Sequence, residues 1–185
     1  MISDTGWAEG PTLSVWVYDS PRGAAAGKLR LERLSQRGAV VVVDVATVTW
    51  VRGAHRPRIG RPHLDPTYSA TRRSPLEVLL GRLMFPGPDM ADNARELGRD
   101  LTGTGLEEDF LREMARSLVP DASALVVLAR QADFGEVRLV IERGRARGDV
   151  RLMHAFLSAD GITRLEALAH RSASGNWWQG WSGSP

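Results

Sequence analysis

The chain has 185 residues, 43% hydrophobic and 25% charged, which suits one compact domain with a real core and the make-up of an ordinary soluble globular protein. Cysteine is absent, which excludes disulfides, zinc–thiolate sites and cysteine nucleophiles. Formal charge is only +2 although the pI is 9.6, because the basic residues are arginines apart from Lys28, a bias that reads as coding preference.

Residues 1–12 are expected to form a polar tail. The first eleven lack the basic start and apolar stretch of a secretion signal. Residues 13–18, rich in β-branched and aromatic side chains, read as a strand. Asp19-Ser20-Pro21 then opens a helix, with Ser20 as its cap and Ala24, Gly27, Leu31 and Leu34 on one face; Gly38 stops it. Residues 40–51 read as a long strand, turned at Gly53-Ala54-His55-Arg56. Residues 58–63 return as a weak edge strand, since Pro57 and Pro62 argue against a central place.

From Ser74 the period is helical. Ser74-Pro75-Leu76-Glu77 is a capping box. Leu76, Leu79, Leu80 and Leu83 form a stripe that breaks at Pro86-Gly87-Pro88, and Asp89 caps a further helix bearing Ala94, Leu97 and Leu101. Thr104-Gly105-Leu106-Glu107 reads as another capping box, leading to Phe110, Leu111, Met114 and Leu118. A strand over 125–129, a helix flanked by Asp133 and Glu136, a strand over 150–157 and a helix from Ser158 complete the domain. The tail at 172–185 is Ser/Gly-rich, carries Trp177, Trp178 and Trp181, and is expected to be mobile.

Two stretches share one plan. Val15 maps onto Leu125 and Gly38 onto Gly148 at the same offset, so two strand–helix–strand units should build one sheet. The expected fold is α+β, a ferredoxin-like split βαβ core with an extra αβα extension and inserted central helices, in a single domain over 13–171 with the helical insertion at 74–104. Crossovers within each unit should be right-handed.

Alternation sets the faces. Leu13, Val15 and Val17 point one way, Ser14, Trp16 and Tyr18 the other; Val41, Val43 and Val45 should oppose Val40, Val42 and Ala46. Residues 124–129 are apolar on both sides, so both faces need cover. The central helices, or a second copy of the chain, could supply it, which makes a homo-oligomer an expectation.

Leu13-Ser14-Val15-Trp16-Val17-Tyr18-Asp19, the valine strand, Thr47-Val48-Thr49-Trp50, Gly53-Ala54-His55-Arg56-Pro57, Gly105-Leu106-Glu107-Glu108-Asp109-Phe110 and Pro120-Asp121-Ala122-Ser123-Ala124-Leu125 together resemble the bacterial family called domain of unknown function 1269, over residues 13–168. The resemblance implies a fold family and no activity or catalytic residue. Members of that family carry a long glycine-rich apolar segment between their halves. Here Arg82, Asp92, Arg95, Glu96, Arg99 and Asp100 interrupt the corresponding region, and each charge at mid-membrane costs about 2.5–3.5 kcal/mol, which argues against a transmembrane span. The expected location is cytoplasmic, with a peripheral membrane place as the alternative.

Candidate chemistry is sparse. His55 and His63 flank a proline-rich turn near Asp65, but Arg56, Arg58 and Arg61 would repel a cation, so no metal is expected. His154 reads as a core or interface histidine. Arg52, Arg56, Arg58, Arg61, Arg72 and Arg73 form a basic segment able to meet an anion or a partner. With Tyr68 its only ring, base stacking has little footing and nucleic acid is not the expected partner. Gly103-Thr104-Gly105 lacks the preceding strand and third glycine of a dinucleotide loop. Asp19 and Asp44 are carboxylates without an evident acid or base partner. Trp177, Trp178 and Trp181 suit a partner or a membrane interface. The expected function is a non-enzymatic α/β binding or scaffold protein that self-associates, without a cofactor. The alternatives are a peripheral membrane or envelope-associated protein and a small enzyme with an unidentified pocket.

Overall fold

The computed structural model describes residues 7–8, 10–62, 74–85, 90–145 and 150–173. In chain order these form β1 (Trp7–Ala8), β2 (Thr12–Tyr18), α1 (Gly23–Gln36), β3 (Val40–Thr49), β4 (Arg58–Gly60), α2 (Pro75–Met84), α3 (Met90–Asp100), α4 (Glu108–Ser117), β5 (Ser123–Asp133), α5 (Phe134–Arg145), β6 (Arg151–Phe156) and α6 (Gly161–Ala173). The α+β class expected from the sequence is the class observed.

The sheet runs β4-β3-β5-β2-β6, and every pairing among the described strands is antiparallel. β2 and β3 both pair with β5, so they run parallel to each other with β5 between them. β5 and β6 likewise flank β2. Each strand–helix–strand unit is therefore split by a strand of the other, and the repeat seen at the 110-residue offset becomes two interlocked halves of one sheet. The expected tail over 1–12 is corrected at Trp7–Ala8, which pairs with Asp133 and Ala132, and at buried Thr12, the first residue of β2.

Two clusters hold the sheet between helices. Leu13, Val15 and Val17 of β2, with Ala124, Val126 and Leu128 of β5, pack against α2, α3, α4 and α6. Trp16, Tyr18, Leu125, Val127 and Ala129 pack against α1 and α5 through Leu31, Leu34, Val137 and Ile141. Period-two alternation divides residues 13–18 of β2 and 124–129 of β5 between the layers. The cover of the second face comes from the chain's own central helices, so no second copy is needed to shield it.

β3 departs from the expected alternation. Its register against β5 shifts between Val41 and Val42 and again between Val42 and Asp44. These irregularities put Val40, Val42 and Val45 with the α1 layer while Ala46 and Val48 join the α2 layer. An unpaired extra residue turns every later side chain to the other face.

Local signals are partly corrected. Ser74 caps α2 by accepting from Glu77 N at 3.1 Å. Asp133 Oδ1 accepts from Glu136 N at 3.1 Å at the head of α5. α1, however, has Arg22 at its cap position without a side-chain bond, and the expected role of Ser20 falls to Ser123 from the start of β5. Ser123 Oγ accepts from Ala24 N at 3.0 Å and donates to Ser20 O at 2.6 Å. Thr104 closes a turn instead of capping α4, donating to Leu101 O and accepting from Leu106 N. α6 starts at Gly161, after a turn from Ser158. Asp89 lies outside the described residues.

Candidate functional site

The most sharply built surface lies on α1. Ala24, Gly27, Leu31 and Leu34 are buried against the sheet, as their spacing requires. At about 100° per residue, Arg22, Ala26, Arg30, Arg33 and Arg37 fall within an arc of about 80° on the opposite side. Both flanking arginines, Arg22 and Arg37, hold right-handed helical backbone angles, so they continue the line of the helix. Arg22, Arg33 and Arg37 are exposed and Arg30 is half-buried. Among the described residues none of these four arginines has an ion pair; on α1 that bond belongs to Lys28 and Glu32, 3.5 Å apart and off the arc. Leu29 sits at the margin of the arc and is 58% exposed.

At the head of this ridge lies a recess of about 310 Å³, walled by Tyr18, Asp19, Ser20, Arg22, Ala26 and Arg30, with Gly23. Tyr18 is 2% exposed and lies along the first two turns of α1. Gly23 and Gly27 make room for it: a Cβ at 23 would collide with Tyr18 Cβ and Cγ, and one at 27 with its hydroxyl. Burial pushes the phenol up to about 12, and Arg30 opposes that rise through its charge and a side-chain hydrogen-bonding approach to the phenol. Yet neither Tyr18 Oη nor Arg30 Nη1 has a hydrogen-bond partner of normal geometry, although both atoms are buried. Such orphans are rare in folded proteins and ask for a cause. The first amides of α1 are already engaged, Gly23 N by Ser20 O and Ala24 N by Ser123 Oγ, so the chemistry of the recess rests on side chains.

A second polar cluster lies in the other layer. Asp44, 2% exposed, accepts from Ser74 Oγ at 2.5 Å, Leu76 N at 3.0 Å and Val45 N at 2.9 Å. Burial raises its pKa; the Ser74 and backbone hydrogen bonds and the Arg61 charge work the other way. Glu77 is raised mainly by burial, with Arg61 opposing and Asp44 adding. These contacts pin the first turn of α2 onto β3, which is a structural clamp. Asp19 and Asp44 thus serve different layers and form no shared carboxylate site.

Among the described strands, β6 is an edge of the sheet. Phe156, 58% exposed, and exposed His154 meet Phe134 with ring centroids 4.9–5.5 Å apart. His154 is therefore a surface residue of the strand and not part of the core.

In the basic segment expected from the sequence, two arginines meet carboxylates. Arg52 bonds Asp121 at 2.8 Å, and Arg61 faces Glu77 at 3.7 Å. Arg56 and Arg58 are exposed. Arg72, Arg73, His63, Asp65, Trp177, Trp178 and Trp181 lie outside the described residues. His55 is exposed, and among the described residues no group of three or more metal-ligating side chains comes together. Among them, too, no helix is long and apolar enough to cross a membrane. Sequence reasoning missed the α1 ridge, although its signal was present: arginines at 22, 30, 33 and 37 repeat on the side opposite the apolar stripe. Compared with protein-family models, curated proteins and solved structures, the chain finds no match.

Proposed function

We propose that the chain is a non-enzymatic α+β binding module whose outer α1 face holds phosphate-bearing anions at a lipid headgroup surface. One observation carries this: Arg22, Arg30, Arg33 and Arg37 line one arc of a sheet-backed helix, without ion pairs among the described residues. Guanidinium groups match phosphate oxygens in geometry and keep their charge at any physiological pH. From 22 to 37 the ridge spans about 22 Å. A basic side chain near an anionic leaflet is worth about 1 kcal/mol, so four supply about 4 kcal/mol at low salt and less as salt screens them. Exposed Leu29 offers an apolar contact beside them. No aromatic ring lies on the ridge, which gives stacked bases no platform.

Membership of the domain of unknown function 1269 family belongs to the same proposal and is supported by the motifs quoted above. So does self-association. Its support is now the outer edge of β6, which no other described strand pairs with and which runs beside Phe156 and His154.

Flotation with vesicles containing phosphatidylserine, against neutral vesicles, tests the membrane reading. The chain should float with the anionic vesicles only, and Arg33→Glu with Arg37→Glu should abolish this. Absence of flotation sinks the reading; capture of a labelled DNA duplex instead would reassign the ridge to nucleic acid.

A further inference from the structure

We propose that the recess at the head of α1 is a subsite for a terminal phosphate, a phosphomonoester, held by Arg30, Tyr18 and Arg22. The inference deepens the reading of the α1 face as a phosphate surface and takes its ligand class from that reading. It stands on a separate observation, that the buried polar atoms Tyr18 Oη and Arg30 Nη1 lie beside each other with no hydrogen bond of normal geometry, in residues that both wall the recess.

A buried donor left without an acceptor is destabilising. Here two such atoms, Tyr18 Oη and Arg30 Nη1, belong to neighbouring side chains. Tyr18 is held rigidly, because its ring lies in the channel that Gly23 and Gly27 leave along the helix. Arg30 is half-buried and already walls the recess beside the Tyr18 ring. An oxyanion entering at that point accepts from both. A monoester carries about −1.5 to −2 charge at neutral pH and offers three oxygens, which suits two guanidinium groups better than a singly charged diester does. Exposed Asp19 at the rim sets the orientation, since it repels the charged end and leaves the organic portion to face outward. The volume of about 310 Å³ is at the small end of ligand pockets, consistent with a headgroup-sized molecule.

Calorimetric titration of the full chain with glycerol phosphate, against an equal ionic strength of chloride, tests this. Binding with Kd near or below about 1 mM is expected. Arg30→Met should weaken it by about tenfold or more, and Tyr18→Phe by about threefold or more while the chain stays folded; Arg116→Met, an exposed arginine on α4 away from the ridge, should change it by less than about twofold. No binding by the unmodified chain, equal losses in Arg30→Met and Arg116→Met, or an unaltered Tyr18→Phe overturns the subsite. Anionic-vesicle flotation reports the ridge separately. Flotation without glycerol phosphate binding removes the recess alone, and binding without flotation removes the membrane reading alone.

Discussion

Replacing Gly27 with alanine tests the packing that shapes the recess. Gly27 is buried in the interior of α1 beneath the Tyr18 phenol. In an unobstructed helix interior the change would stabilise by about 1 kcal/mol. Here the new Cβ would overlap Tyr18 Oη and stand 3.0 Å from Cζ and 3.1 Å from Cε2. The ring cannot retreat, because its base is already pressed against Gly23. Overpacking of this kind costs about 1–3 kcal/mol, so the net loss should be about 0–2 kcal/mol once propensity is credited. Tyr18→Phe removes the worst overlap and an unpartnered buried hydroxyl, so alone it should be neutral or stabilising by up to about 1 kcal/mol. In that background the remaining approach asks for a shift of a few tenths of an ångström, and the alanine should recover most of its propensity gain. A coupling energy of about 1–2 kcal/mol is therefore expected from a urea double-mutant cycle with unchanged m-values. Additivity of the two changes to within about 0.5 kcal/mol would refute the reasoning, because it would mean the hydroxyl does not lie over residue 27.

Tyr18 also sets an alkaline limit. Its folded pKa of about 12 exceeds the unfolded value of 10.0, so its contribution is complete below about pH 10 and lost as pH rises toward 12, on the order of 3 kcal/mol in all. The chain has two tyrosines, so tyrosinate absorbance of the folded protein should show one late phenol, missing in Tyr18→Phe. Asp44 has the same sign at the acid end. Its raised pKa makes the wild type most stable relative to Asp44→Asn below the unfolded aspartate value, with the advantage falling as pH rises through the folded one; a pH-independent difference in urea midpoints would contradict this. Ser123→Ala should cost about 1–2 kcal/mol in urea unfolding through loss of the long-range cap on α1, and a loss under about 0.3 kcal/mol would show that water replaces it. His154→Pro removes a donor from the β6 edge and should convert a dimer seen by light scattering to a monomer; a wild-type monomer, or a dimer indifferent to the change, removes edge pairing.

Much of the architecture was legible because periodicity is local. The valine-rich runs at 13–18 and 125–129 reveal two strands with both faces apolar, and the stripe Ala24, Gly27, Leu31, Leu34 reveals the buried side of α1. The shared offset reveals the pairing of halves. Less was legible at the site. An arginine stripe opposite an apolar one is visible once α1 is assigned, yet composition drew attention to the denser arginines near the β3–β4 turn. There Asp121 and Glu77, distant in sequence, engage Arg52 and Arg61.

The order of residue types along the chain, by itself, determined the α+β class, the repeated unit and the need to cover both sides of the sheet, since helix and strand periods and apolar content are properties of short windows. Tertiary structure alone decided which helices provide that cover, that Ser123 caps a helix about a hundred positions earlier, that the shift at Val43 reverses the faces of β3, and that Tyr18 and Arg30 meet without a hydrogen bond of normal geometry. Those outcomes depend on contacts between distant segments, and a chain closes such contacts through the packing of the whole, which no local window contains.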